Sequence, residues 1–118
     1  MTIRTSLTIL ALAFLIGCDD ENPAGPSPTP SATITIVSGA STLTTTAYNP
    51  NPVTTTVGST VRWTNNDNVV HTTTATGGTW NSGNMNPGGQ FDFTFQSAGT
   101  FTYRCTIHPN MVATVTVQ

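Results

Sequence analysis

The 118-residue sequence predicts an all-β sandwich. Three observations carry that expectation. Short stretches of Thr, Val, Ile and aromatic residues alternate in polarity at period two. Clusters of Gly, Pro and Asn interrupt them every few residues. Beyond the N-terminal run, no segment sustains a helical period. Threonine and valine suit a pleated surface because branching at Cβ packs well there. Strands this short reach a shared core by stacking as two sheets.

Met1–Ile16 reads as an export signal: Arg4 supplies the positive start, and Leu7–Ile16 is apolar apart from Thr8. The run is too short to cross a bilayer as a helix. A buried core helix is the competing reading, but no polar face or cap supports it. Leu15-Ile16-Gly17-Cys18 resembles a bacterial lipobox, which implies cleavage after residue 17 and a lipid on Cys18. The alternative for Cys18 is an ordinary disulfide cysteine. Asp19-Asp20-Glu21 follows directly; it resembles an inner-membrane retention signal or is a solvated start to a linker. Residues 18–31 are rich in Pro, Ser and Gly, cannot build a core, and read as a tether. Residues 32–118 are long enough for one small domain.

Within that domain, Thr33–Val37 alternates as a half-buried strand should. Val53–Val57 and Thr60–Thr64 flank Gly58-Ser59, a tight turn. Val69–Ala75 is expected to be a strand with His71 near its start. Thr76-Gly77-Gly78 and residues 84–90 are expected loops. Phe91, Phe93 and Phe95 share one strand face and Asp92, Thr94 and Gln96 the other. Phe101, Tyr103 and Cys105 share a face, and Val112–Val117 closes the chain as a β-branched strand.

Charge excludes one class of function. The chain has 3 Lys+Arg, all arginine, and 5 Asp+Glu. Cleavage before Cys18 removes Arg4, and three of the carboxylates belong to the tether, so the domain itself is near neutral. Without a basic footprint, nucleic acid is not an expected partner. No paired carboxylates, Ser/His/Asp set or phosphate-binding glycine loop suggests an enzyme, and neither Asp67 nor Asp92 is assigned a catalytic role.

The informative stretch is Tyr103–Met111. Cys105, His108 and Met111 sit there at even spacing, and His71 lies upstream after Val69-Val70. The sequence has 2 histidines, and this grouping uses both. One thiolate, two imidazoles and one thioether are the ligands of a trigonal copper site with a weak axial sulfur. Singly, each has a plainer reading: Cys105 as a core thiol or a disulfide partner of Cys18, His71 as a satisfied strand-end histidine, Met111 as core filler. Zinc is the rival metal, since a Cys/His₂ site with one open position can hold it, but a placed thioether argues for copper.

Cys105-Thr106-Ile107-His108-Pro109-Asn110-Met111 resembles the copper loop of the cupredoxins, the type 1 blue copper proteins, with the short Cys-x-x-His-x-x-Met spacing of the amicyanin type. Val57–Asp67, Phe93-Thr94-Phe95 and Gly99–Cys105 extend the likeness over residues 32–118. The resemblance implies a Greek-key sandwich and one copper ion held by His71, Cys105, His108 and Met111. It implies a monomeric carrier of single electrons between redox protein partners rather than an enzyme. With the lipobox, it implies anchorage to a membrane in the bacterial envelope, periplasmic or extracytoplasmic. A module for copper delivery, storage or sensing is the alternative. The family commonly has asparagine after the upstream histidine, tying the two ligand loops together; here Thr72 stands there, and Ile107 stands where proline is common. An exposed His108 edge is implied too, surrounded by Pro109, Pro87 and Met85.

Overall fold

The computed structural model describes Gly25 and residues 27–118; the signal, Cys18 and most of the tether lie outside the described residues. Eight strands follow in order: β1 (Ala32–Ile36), β2 (Tyr48–Asn49), β3 (Val53–Thr55), β4 (Thr60–Asn65), β5 (Thr74–Ala75), β6 (Gln90–Thr94), β7 (Gly99–Arg104) and β8 (Val112–Val117). A single 3₁₀ turn, Ala40–Thr42, is the only helical element among the described residues. The strands form two four-stranded sheets, ordered β2-β1-β4-β6 and β3-β8-β7-β5. The expected sandwich is present.

Period-two alternation places the core. In β1, Ile34 and Ile36 are buried while Thr33 is exposed; in β8, Ala113, Val115 and Val117 are buried against half-buried Thr114 and Thr116. Trp63 from β4 and Tyr103 from β7 meet edge to face, 5.6 Å between ring centroids. Trp80, from the loop after β5, fills the space between the sheets against Phe93, Phe95, Phe101 and Tyr103. Phe91 packs on Trp63, so the three phenylalanines do share the inner face. Asp92 on the opposite face accepts two bonds from Arg62, each 2.7 Å.

One expectation about strands is corrected, and one turn joins different sheets. The turn at Gly58-Ser59 exists: Gly58 has φ +86°, which glycine adopts without a Cβ penalty, and Ser59 N–H donates to the Thr56 carbonyl. Yet β3 and β4 do not pair across it. β3 runs parallel to β8, and β4 lies between β1 and β6, so the turn passes the chain from one sheet to the other. Nor is Val69–Ala75 one strand. Regular pairing covers only Thr74–Ala75, against β7. His71 makes a single isolated bridge with Met85, N–H to carbonyl in both directions at 3.2 and 2.8 Å. Side chains take the place of a partner strand along this segment. The Asn65 amide donates to the carbonyls of Val69 and Met85, both at 2.9 Å, while Thr72 N–H goes to Cys105 Sγ at 3.3 Å and Thr73 N–H to Ser82 Oγ at 2.9 Å.

Candidate metal centre

The centre sits where the ends of β4 and β7 come together. β7 terminates at Arg104, and Cys105 begins the loop that returns to β8 at Val112. Cys105 N–H donates to the Met111 carbonyl at 3.2 Å, and Met111 N–H donates to the His108 carbonyl at 3.0 Å. The loop is therefore closed on itself by its own backbone, with Cys105 and Met111 fully buried and His108 half-buried. Pro109 fixes φ beside His108 and carries no backbone donor.

His71 arrives from the other segment. It is 0% exposed, and its Nδ1 lies 3.8 Å from Cys105 Sγ and 3.2 Å from His108 Nδ1. His108 Nδ1 lies 3.8 Å from the same sulfur. The donor atoms of His71, Cys105 and His108 all fall within 4.8 Å of one another. Typical metal–nitrogen bonds of about 2.0–2.1 Å and metal–thiolate bonds of about 2.3 Å add to more than each side of this triangle, so one ion reaches all three without moving them. Two ring nitrogens and a thiol facing one another in a buried space fit a metal better than they fit a packed core. The residues present fit copper.

The backbone around Thr72 braces the thiol. Thr72 N–H donates to Cys105 Sγ at 3.3 Å, which fixes the direction of the sulfur. Its hydroxyl accepts the Thr106 N–H at 2.9 Å and meets the Thr106 hydroxyl at 3.2 Å. Thr72 thus ties the two ligand segments together, despite being shorter than the asparagine common at this place. Its carbonyl accepts the buried Tyr48 hydroxyl at 2.6 Å. Burial first, then the neighbouring Cys105 and Tyr103, push the Tyr48 phenol far above its usual range, so it stays a donor.

Two functional side chains escaped the sequence reading. Asp67, 4% exposed, sets Oδ2 at 2.7 Å from His71 Nε2. Its Oδ1 accepts the N–H groups of Gly39 at 3.0 Å and Asn68 at 2.8 Å. Burial by itself would raise this carboxyl, but the bonds from His71, Gly39 and Asn68 pull it down to about 2. Asn65 is the second: besides its two carbonyl partners, its Oδ1 accepts Asp67 N–H at 2.9 Å. The available signal was the spacing Asn65-x-Asp67-x-x-x-His71, which reads as a polar loop until the burial is known. Another expectation is corrected here. Met85 does not surround His108 on the surface; it is 4% exposed, held inward by its bridge to His71. Ile107, 46% exposed, and exposed Pro109 and Pro87 remain on the outside.

The profile of copper-binding proteins of the plastocyanin/azurin family matches residues 35–118. Among solved structures, the chain is similar to a purple cupredoxin from Nitrosopumilus maritimus, with 35% identity and a TM-score of 0.68 over 74% of this chain and 99% of that one. It is similar in fold to the P52G variant of amicyanin in its reduced Cu(I) form, at 24% identity and a TM-score of 0.64, covering 79% and 87% of the two chains. A copper-containing nitrite reductase from Thermus scotoductus SA-01 shares the fold at 22% identity and a TM-score of 0.64 over 78% of this chain, but only 23% of that enzyme. No curated protein matches the chain.

Proposed function

Because this chain belongs to the plastocyanin/azurin family of copper-binding proteins, we propose that it is a membrane-tethered carrier of single electrons in the bacterial envelope, using one copper ion held by His71, Cys105, His108 and Met111. The observation that carries this reading is the contrast in burial: Cys105, His71 and Met111 are closed off, while His108 alone is half-buried. Bound copper supplies a one-electron couple. The protein's part is to hold the donors still, since hydrogen bonds around ligands and exclusion of solvent tune such a site. The bonds through Thr72 and Asp67 do this from two sides. With four protein ligands there is no vacant position of the kind a catalytic metal keeps for substrate, which supports a carrier over an enzyme.

The electron's exit is the His108 edge, flanked along the loop by exposed Ile107 and Pro109. A small apolar surface suits brief encounters, because small interfaces dissociate quickly. Charge steering is weak. Among the described residues Arg62 is paired with Asp92, Asp67 is buried on His71, and only Arg104 is exposed outside any ion pair. The association rate with a redox protein partner is therefore expected to depend little on salt. The lipid on Cys18 would hold the carrier at the membrane, with residues 18–31 as the tether.

The test is to add Cu(II) to the mature chain and record visible and electron paramagnetic resonance spectra. Intense thiolate absorption and a small copper hyperfine splitting are expected, both lost in Cys105→Ser. A Cys105→Ser variant with unchanged colour removes the assignment. Reversible reduction without copper release supports a carrier, whereas rapid copper loss to a chelator supports delivery or storage. Growth with a labelled fatty acid should label the wild-type chain and not Cys18→Ala.

A further inference from the structure

Asp67 has no part in the ligand set, yet it is the most completely engaged carboxylate among the described residues. A charged group taken out of water survives only when paired and hydrogen-bonded. Here every direction is used. Oδ1 receives the Gly39 and Asn68 N–H groups, Oδ2 faces His71 Nε2 at 2.7 Å, and the residue's own N–H is fixed on Asn65 Oδ1. The carboxylate therefore cannot turn away, and Oδ2 is left facing the ring nitrogen.

A neutral imidazole carries one N–H, and the bond made by one nitrogen decides the state of the other. Were the His71 proton on Nδ1, the Nε2 lone pair would press against a carboxylate oxygen at hydrogen-bond distance, with no proton between them. We propose that Asp67 is a positioning residue that holds the His71 proton on Nε2, so that the Nδ1 lone pair faces Cys105 Sγ and His108 Nδ1 before any metal enters. The buried half of the site is then preformed by the fold. The consequence for copper rests on the function proposed above; the state of the ring does not.

The same contacts predict what Asp67→Asn does. The backbone donors of Gly39 and Asn68 require an oxygen at the Oδ1 position, so the amide nitrogen is turned toward His71. It donates to Nε2 and drives the proton to Nδ1, the atom that faces the other ligands. Carboxylate partners of ligating histidines are worth about 10–100-fold in metal affinity, and a loss of Cu(II) affinity in that range is expected.

The experiment is ¹⁵N nuclear magnetic resonance of the histidine rings in the metal-free mature chain at neutral pH, for wild type and Asp67→Asn, with Cu(II) affinity measured by competition. Wild-type His71 protonated at Nε2 alone, and the variant protonated at Nδ1, support the inference. A wild-type ring with a proton on Nδ1, singly or doubly protonated, overturns it whether or not the variant folds. A variant that folds, keeps the wild-type ring state and binds Cu(II) equally well also overturns it. Because the ring state is read without metal, failure here is distinguishable from failure of the copper assignment.

Discussion

Replacing Thr72 by valine isolates the bond that ties the two ligand segments together. Valine has nearly the same shape, so the change removes a hydroxyl and little volume. Three contacts of that hydroxyl are lost: the Thr106 N–H at 2.9 Å, the Thr106 hydroxyl at 3.2 Å and the Thr74 hydroxyl at 3.0 Å. They are not equal. Thr106 is exposed, so its hydroxyl turns to water, and Thr74 retains Asn81 as a partner at 3.1 Å. The Thr106 N–H cannot turn, because the closed copper loop fixes its direction. A typical net hydrogen bond contributes about 0.5–1.5 kcal/mol, and a donor left partly buried costs somewhat more, so a loss of about 1–2 kcal/mol is expected. For a domain of 60–100 residues, each kcal/mol lowers the melting temperature by about 4–8 °C. Urea unfolding of the metal-free chain reads this directly as a lower midpoint at unchanged slope. The bond from Thr72 to Cys105 Sγ comes from the backbone, so the colour of the copper form should not move. An unchanged midpoint would mean that water replaces the threonine and that the brace is not structural. A changed colour with an unchanged midpoint would mean that the hydroxyl acts on the thiolate itself.

Met111→Gln should keep copper while lowering the reduction potential, since the axial ligand tunes potential more than occupancy; an unchanged value in a redox titration removes Met111 from that role. The Arg62 guanidinium, bonded twice to Asp92, holds that carboxyl below its ordinary 3.8. Its stabilisation is thus present above about pH 4 and is lost as the pH falls through the lower folded value. The pair is 26% exposed on both sides, so Asp92→Asn should cost only about 0.2–1 kcal/mol at pH 7 and flatten the acid dependence of the urea midpoint; identical acid profiles would contradict this. Gly89→Ala places a Cβ 2.9 Å from the Asn86 carbonyl oxygen, a backbone atom that has to move. The Gly89 carbonyl accepts Asn65 N–H at 2.9 Å, so the shift reaches the amide that shapes the His71 segment. A destabilisation of about 1–3 kcal/mol is expected, with faster hydrogen exchange at His71; wild-type exchange there would show that Asn65 is held independently.

The local pattern of this chain determined its fold class and singled out its candidate ligands. Alternation in Thr33–Ile36 and in Phe91–Phe95, together with the Gly and Pro breaks, specified strands and their inner faces, because the side-chain direction in a strand follows from position alone. The candidate set His71, Cys105, His108 and Met111 was legible because soft and borderline metal ligands are few and their chemistry is carried by residue type; the fold brings the first three together. Tertiary structure decided which strands pair and what surrounds the ligands. The turn at Gly58-Ser59 has the composition of a hairpin turn, and only the packing of two sheets sends β3 to β8 and β4 to β1. Val69–Ala75 has strand composition, but side chains brought in from elsewhere, Asn65, Cys105 and Ser82, bond its backbone where a partner strand would have done so. Asp67 reads as a solvated loop acid because a carboxylate's role depends on what surrounds it. Folding removes its water and leaves His71 and two backbone N–H groups as its partners, and no local sequence pattern encodes that exchange.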